Sequence, residues 1–218
     1  MSDHRTDTRW VFGLEPLPQQ TVLAPLLRSV QGLALALDAE DPAVDELIVH
    51  LRAAESALVE QATEVRVPRL GDDAPDRARP YLDHARGVGA YDAAFPDYEI
   101  TVAGARATGT VTFPLIFEGP PGVVHGGALA SFFDCVIQNH SCDLGTAGKT
   151  TSLHVEYRRP TPLATPLTFE IDREADDRRI TSVARLLLGS DVQCTATMQA
   201  VAGNRADLPH VPPRGPAR

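Results

Sequence analysis

One segment of strong helical periodicity lies among five segments of two-residue periodicity, which restricts residues 95–202 to one helix packed on one sheet. Across residues 126–142, Leu129, Phe132, Phe133, Val136, Ile137 and His140 recur at i, i+3, i+4 and i+7, giving a wide apolar stripe. On either side the rhythm changes. In residues 105–113, Ala107, Gly109, Val111 and Phe113 alternate with Thr108, Thr110 and Thr112. Further runs occupy residues 151–157, 167–171, 180–188 and 192–201. In the last, Val192, Cys194, Ala196, Met198 and Ala200 alternate with Gln193, Thr195, Thr197 and Gln199. Asp176-Asp177 and Gly189-Ser190-Asp191 supply hairpin turns, and Glu118-Gly119-Pro120-Pro121-Gly122 a longer one. The pattern predicts an α+β domain in which an antiparallel sheet wraps a central helix.

The flanks differ. Residues 22–37 have helical spacing, with Pro25 expected in the first turn. A second helix is expected from Pro42, capped by Asp41, with Val44, Leu47, Ile48, Leu51, Ala54, Leu58 and Ala62 on one side. These form an N-terminal helical hairpin extension, residues 1–65, expected to pack on another surface. Residues 66–94 read as a charged, turn-rich linker. Residues 203–218, with Pro209, Pro212, Pro213 and Pro216, read as a disordered tail.

The net charge of −9 argues against a nucleic-acid partner, whose phosphates need a basic footprint. Cys135, Cys142 and Cys194 form no C-x-x-C pair, so neither a disulfide frame nor a metal site is signalled. The start of the chain lacks the apolar core of a signal peptide. The most apolar run, residues 32–37, is too short for a bilayer of ~30 Å. The expectation is a cytoplasmic protein with no membrane partner.

Val124-His125-Gly126-Gly127-Ala128-Leu129-Ala130-Ser131-Phe132-Phe133-Asp134 resembles the signature of the phenylacetate-pathway (PaaI-like) acyl-CoA thioesterases. Those proteins have the hotdog fold, a sheet wrapped around a helix. In that family an H-G-G opens the central helix, and an Asp seven positions after the second Gly is the catalytic carboxylate. Residues 149–160 and the final meander are also similar. The resemblance covers residues 95–202 and implies a thioester hydrolase with CoA as part of its substrate and no other cofactor. It further implies sites at the interface of a homodimer, alone or within a dimer of dimers. Thr150 aligns with a Ser that orients water in some relatives. The position six residues before His125, often Asn or another polar residue in relatives, is Gly119, beside Glu118.

The residues fit that chemistry. Hydrolysis develops negative charge on the thioester oxygen, and the N–H groups and dipole of a helix N-terminus can receive it. His125, Gly126 and Gly127 sit at that N-terminus, where glycines permit close approach. Asp134 lies roughly 130° from the centre of the apolar stripe, beside Gly127, Ala130 and Gln138, and can serve as general base or nucleophile. Arg158 and Arg159 are candidates for CoA phosphates, and Glu118 for substrate contact. Gly126 and Asp134 are separated by about 12 Å along a helix at about 1.5 Å per residue, so two chains are expected to share each site. The competing expectation is a non-catalytic hotdog protein that binds acyl-CoA or another acyl ligand, with the hairpin covering the pocket or joining subunits.

Overall fold

The computed structural model describes residues 16–61, 87–145 and 148–202. The chain opens with α1 (Pro18–Leu35) and α2 (Pro42–Gln61). Strands β1 (Tyr98–Ala103) and β2 (Arg106–Val111) come next, followed by α3 (Gly126–Asp143). The strands β3 (Gly148–Tyr157), β4 (Leu167–Asp176), β5 (Arg179–Leu188) and β6 (Asp191–Ala202) complete the fold. All pairings are antiparallel, in the order β1-β2-β4-β5-β6-β3.

The sheet curls around α3. Leu129, Phe132, Phe133, Val136, Ile137 and His140 are all buried, as the stripe requires. Phe132 is at the centre, edge-on to Phe113 and Phe169 with both ring centroids 5.4 Å away. Truncating such a ring to Ala costs about 3–5 kcal/mol. The inner faces of β4, β5 and β6 contribute Leu167, Phe169, Ile171, Ala184, Leu186, Cys194, Ala196 and Met198. Two-residue turns follow β4 and β5, with Asp177 and Gly189 at φ 50° and 59°. His140 is a satisfied core histidine on one side: its Nε2 donates to the Gly104 carbonyl at 2.8 Å. Burial lowers its pKa below the ordinary imidazole value.

Three features depart from the sequence expectations. The sixth strand, β1, precedes the first of the five expected runs, in a stretch to which no strand is assigned, although Tyr98, Ile100 and Val102 alternate with Glu99, Thr101 and Ala103. Helix α1 begins at Pro18, so Pro25 lies in its interior. The third concerns the apolar stripe of α1. The helix docks through Ala24 and Arg28, the latter buried and donating to the carbonyls of Gly89 and, at 2.9 Å, Asp92. At about 100° per residue, that face is roughly opposite the stripe. Leu23, Leu26 and Leu33 therefore stay exposed, as do Ile48, Leu51 and Leu58 of α2. The Asp41 cap of α2 forms as expected, with Oδ1 accepting from the Ala43 amide at 2.9 Å. Residues 62–86 and the proline-rich tail lie outside the described residues.

Candidate active site

Helix α3 starts where the loop after Phe117 turns back on itself. The His125 amide donates to the Phe117 carbonyl and the Gly119 amide to the Val123 carbonyl. Glu118 stabilises this turn: its Oε1 accepts from the Gly122 amide at 2.7 Å. Gly119 passes so close to His125 that an added Cβ would meet the His125 Cα at 2.8 Å. A side chain at position 119 would therefore require this loop to shift.

The first N–H groups of a helix have no intrahelical acceptors and must be accounted for individually. His125 is the N-cap, and its Nδ1 accepts from the Gly127 amide at 2.9 Å. Its imidazole therefore carries its proton on Nε2. The Ala128 and Leu129 amides both donate to the His125 carbonyl, at 3.0 and 3.2 Å. Among the described residues, no acceptor pairs with the Gly126 amide. Of the two glycine N–H groups expected to be available, Gly127's is taken by His125.

Tyr157, at the end of β3, brackets this corner. Its hydroxyl donates to the Gly126 carbonyl at 2.8 Å, and a Cβ on Gly126 would meet its ring and hydroxyl oxygen at 3.2 Å. Sequence reasoning passed over Tyr157. Beyond it, Arg158 pairs with Glu156 at 2.8 Å and Arg159 with Asp191 at 2.6 Å, all four side chains about half exposed. Pairs so exposed contribute little to stability and leave the guanidinium groups accessible to another anion.

Two turns along α3, Asp134 is half-buried off the apolar stripe and meets β3. The Thr150 hydroxyl donates to Asp134 Oδ1 at 3.0 Å. A bulge makes this contact possible. Thr150 pairs with Ala200 and Ser152 with Gln199, so Thr151 is an extra residue in β3 and its hydroxyl bonds to the Gln199 carbonyl. With uninterrupted alternation from Leu153, Thr151 would share the inner face and Thr150 would point away. The bulge reverses this.

Gln138 completes the cluster from one turn further along α3. Its Nε2 donates to the Gly148 carbonyl at 3.1 Å and to Thr150 Oγ1 at 2.9 Å. The Gly148 carbonyl accepts only, which fixes the amide's orientation. Gln138 Oε1 is buried with no partner among the described residues. Two hydrogen bonds at about 0.5–1.5 kcal/mol each are offset by an orphaned acceptor costing about 1–3 kcal/mol, so the side chain adds almost nothing to stability. Among the described residues no cluster of three His, Cys, Asp or Glu side chains could hold a metal ion. No described helix is long and apolar enough to cross a membrane.

Comparison with known proteins places this architecture. The chain is similar to a thioesterase superfamily protein of known structure, with 27% identity and a TM-score of 0.68 over 89% of this chain and all of the other. It also resembles a hypothetical thioesterase from Streptococcus pneumoniae TIGR4 solved with coenzyme A (21% identity, TM-score 0.46, 50% of this chain and 91% of the other). A Streptococcus mutans UA159 protein bound to acetyl-CoA is similar at 17% identity and TM-score 0.46, over 50% of this chain and 91% of the other. Residues 118–203 match the family described as acyl-CoA thioesterase N-terminal domain. That match takes in His125, Gly126, Asp134, Gln138 and Thr150 together with β3–β6. Residues 118–203 therefore resemble acyl-CoA thioesterase domains, on a hotdog fold similar to that of a thioesterase superfamily protein.

Proposed function

We propose that this protein hydrolyses acyl-CoA thioesters of the kind handled by PaaI-like enzymes, with Asp134 as general base on water or as nucleophile. The observation that carries the reading is the Thr150–Asp134 hydrogen bond. A strand bulge aims a hydroxyl at a carboxylate off the core stripe, within the segment matching the thioesterase family. Strand bulges are over-represented next to working sites. The Gly126 amide, at the positive end of α3, is the group suited to receive the developing oxyanion. His125 supports it by occupying the neighbouring Gly127 amide. Arg158 and Arg159, next to Tyr157, are suited to CoA phosphates, while Glu118 acts by holding the loop before His125.

The site is completed by a second chain. Both Gly126 and Asp134 lie on α3, and eight residues at about 1.5 Å each separate them by about 12 Å along the axis, too far for one carbonyl to meet both. Strand β3, ten residues long, lies at the edge of the sheet. An edge of that length is a ready pairing surface for a second copy, which would bring two α3 helices side by side.

The test is thiol release from a panel of short, long and aryl acyl-CoAs, with Asp134→Ala as the control. Turnover of at least one member, lost in the variant, supports the proposal. Binding of acyl-CoA with no turnover across the panel would favour the acyl-binding alternative.

A further inference from the structure

We infer that Gln138 is a positioning residue for hydrolysis, because its amide commits the single proton of the Thr150 hydroxyl to Asp134. The inference rests on the reading that Asp134 acts on the thioester. The direction of every hydrogen bond in the chain Gln138–Thr150–Asp134 follows from chemistry. The Gly148 carbonyl can only accept, so the Gln138 NH2 group must face it at 3.1 Å. A Cβ on Gly148 would lie 2.4 Å from the Val201 carbonyl oxygen, so this start of β3 is laid tightly on β6 and makes a fixed anchor. The same NH2 group then donates its second hydrogen to Thr150 Oγ1 at 2.9 Å. A hydroxyl that accepts on that side must send its one hydrogen elsewhere. Asp134 Oδ1 at 3.0 Å is a strong acceptor, and Met198 Sδ at 3.8 Å a weak one.

The cost of the arrangement supports a purpose other than stability. Gln138 leaves its own Oε1 buried and unpartnered among the described residues. An aliphatic side chain of the same length would avoid that penalty. What such a side chain cannot do is hold Thr150 as a donor to the carboxylate. Without the amide, the hydroxyl can rotate, and Asp134 loses the bond that orients it toward water or the carbonyl carbon.

The experiment compares Gln138→Met with wild type, with Thr150→Val and with the double variant. Gln138→Met preserves length and volume and should fold with a melting temperature at or above that of wild type. Its kcat should fall about tenfold with KM for acyl-CoA nearly unchanged, the signature of an interaction needed in the transition state. In the Thr150→Val background, Gln138→Met should add no further loss, since it acts only through the hydroxyl. Gln138→Glu, which at neutral pH accepts from Thr150 instead of donating to it, should be at least as impaired as Gln138→Met. Wild-type kcat in Gln138→Met, or multiplicative losses in the double variant, would overturn the positioning role while leaving Asp134 in place. An Asp134→Asn protein with wild-type turnover would overturn the role of Asp134 itself, and this one with it.

Discussion

The Thr150 hydroxyl donates to Asp134 Oδ1 across 3.0 Å, joining the bulge of β3 to the middle of α3. Thr150→Ser should retain most activity, because the hydroxyl survives. Thr150→Val, similar in shape, should lose about tenfold or more in kcat. Steady-state kinetics of the two variants side by side separates the hydroxyl from the space it occupies. Equal rates would remove this bond from the mechanism.

The corner at Gly126 and Gly127 makes a second expectation. His125→Ala removes the acceptor for the Gly127 amide and should cost about 0.5–2 kcal/mol, as helix N-cap losses do. His125→Asn, a strong N-cap residue, should recover most of that stability. Denaturant melts of the two variants check it, and an uncapped variant as stable as wild type would mean the Nδ1 contact contributes nothing.

The buried His140 gives the protein a pH dependence. Its pKa is lowered in the fold by burial, so the unfolded state binds more protons once the pH falls below the free imidazole value of about 6.5. Its contribution is fully present above that pH and is lost as the pH drops toward the folded pKa. Wild type should thus lose stability more steeply than His140→Gln as the pH falls below about 6.5. Melts at half-unit intervals read this directly, and parallel curves would exclude His140 as the source.

Much of this was legible from residue order. The stripe of α3 and the alternation of β6 are complete patterns, and their buried faces are the ones the periods assign. What periodicity could not show is which surface a stripe meets. The apolar side of α1 is clear in sequence, yet Ala24 and Arg28 on the other side make the attachment. A long polar side chain reaching two backbone carbonyls leaves no periodic trace. Thr150 was identified by resemblance, but its inward direction depends on one extra residue in β3, and no residue type in Thr150-Thr151-Ser152 announces a bulge. Gln138 was visible as a neighbour of Asp134 four residues on, although spacing alone cannot say what its amide bonds to. The use of Gly127's amide by His125 was foreseeable, since an imidazole at an N-cap can accept from the second helical N–H.

The proposal that two chains share each site has a quantitative signature. Asp134→Ala and Gly126→Val should each be inactive alone. Co-refolded in equal amounts, they should form half heterodimers with one intact site of two, giving about a quarter of wild-type activity if the sites act independently. No recovery, with mixed dimers confirmed by mass spectrometry, would mean each chain carries a complete site.

The central claim is that the Asp134 carboxylate carries out thioester hydrolysis. The direct measurement is CoA release by Asp134→Asn under saturating acyl-CoA, alongside its melting temperature and its affinity for the same substrate. Asn retains the size of the side chain and an oxygen that can accept from Thr150, but it can neither take a proton from water nor attack a carbonyl. The account predicts a loss of about a thousandfold or more in kcat, with folding and substrate affinity close to wild type. A folded Asp134→Asn protein that releases CoA at the wild-type rate would contradict it.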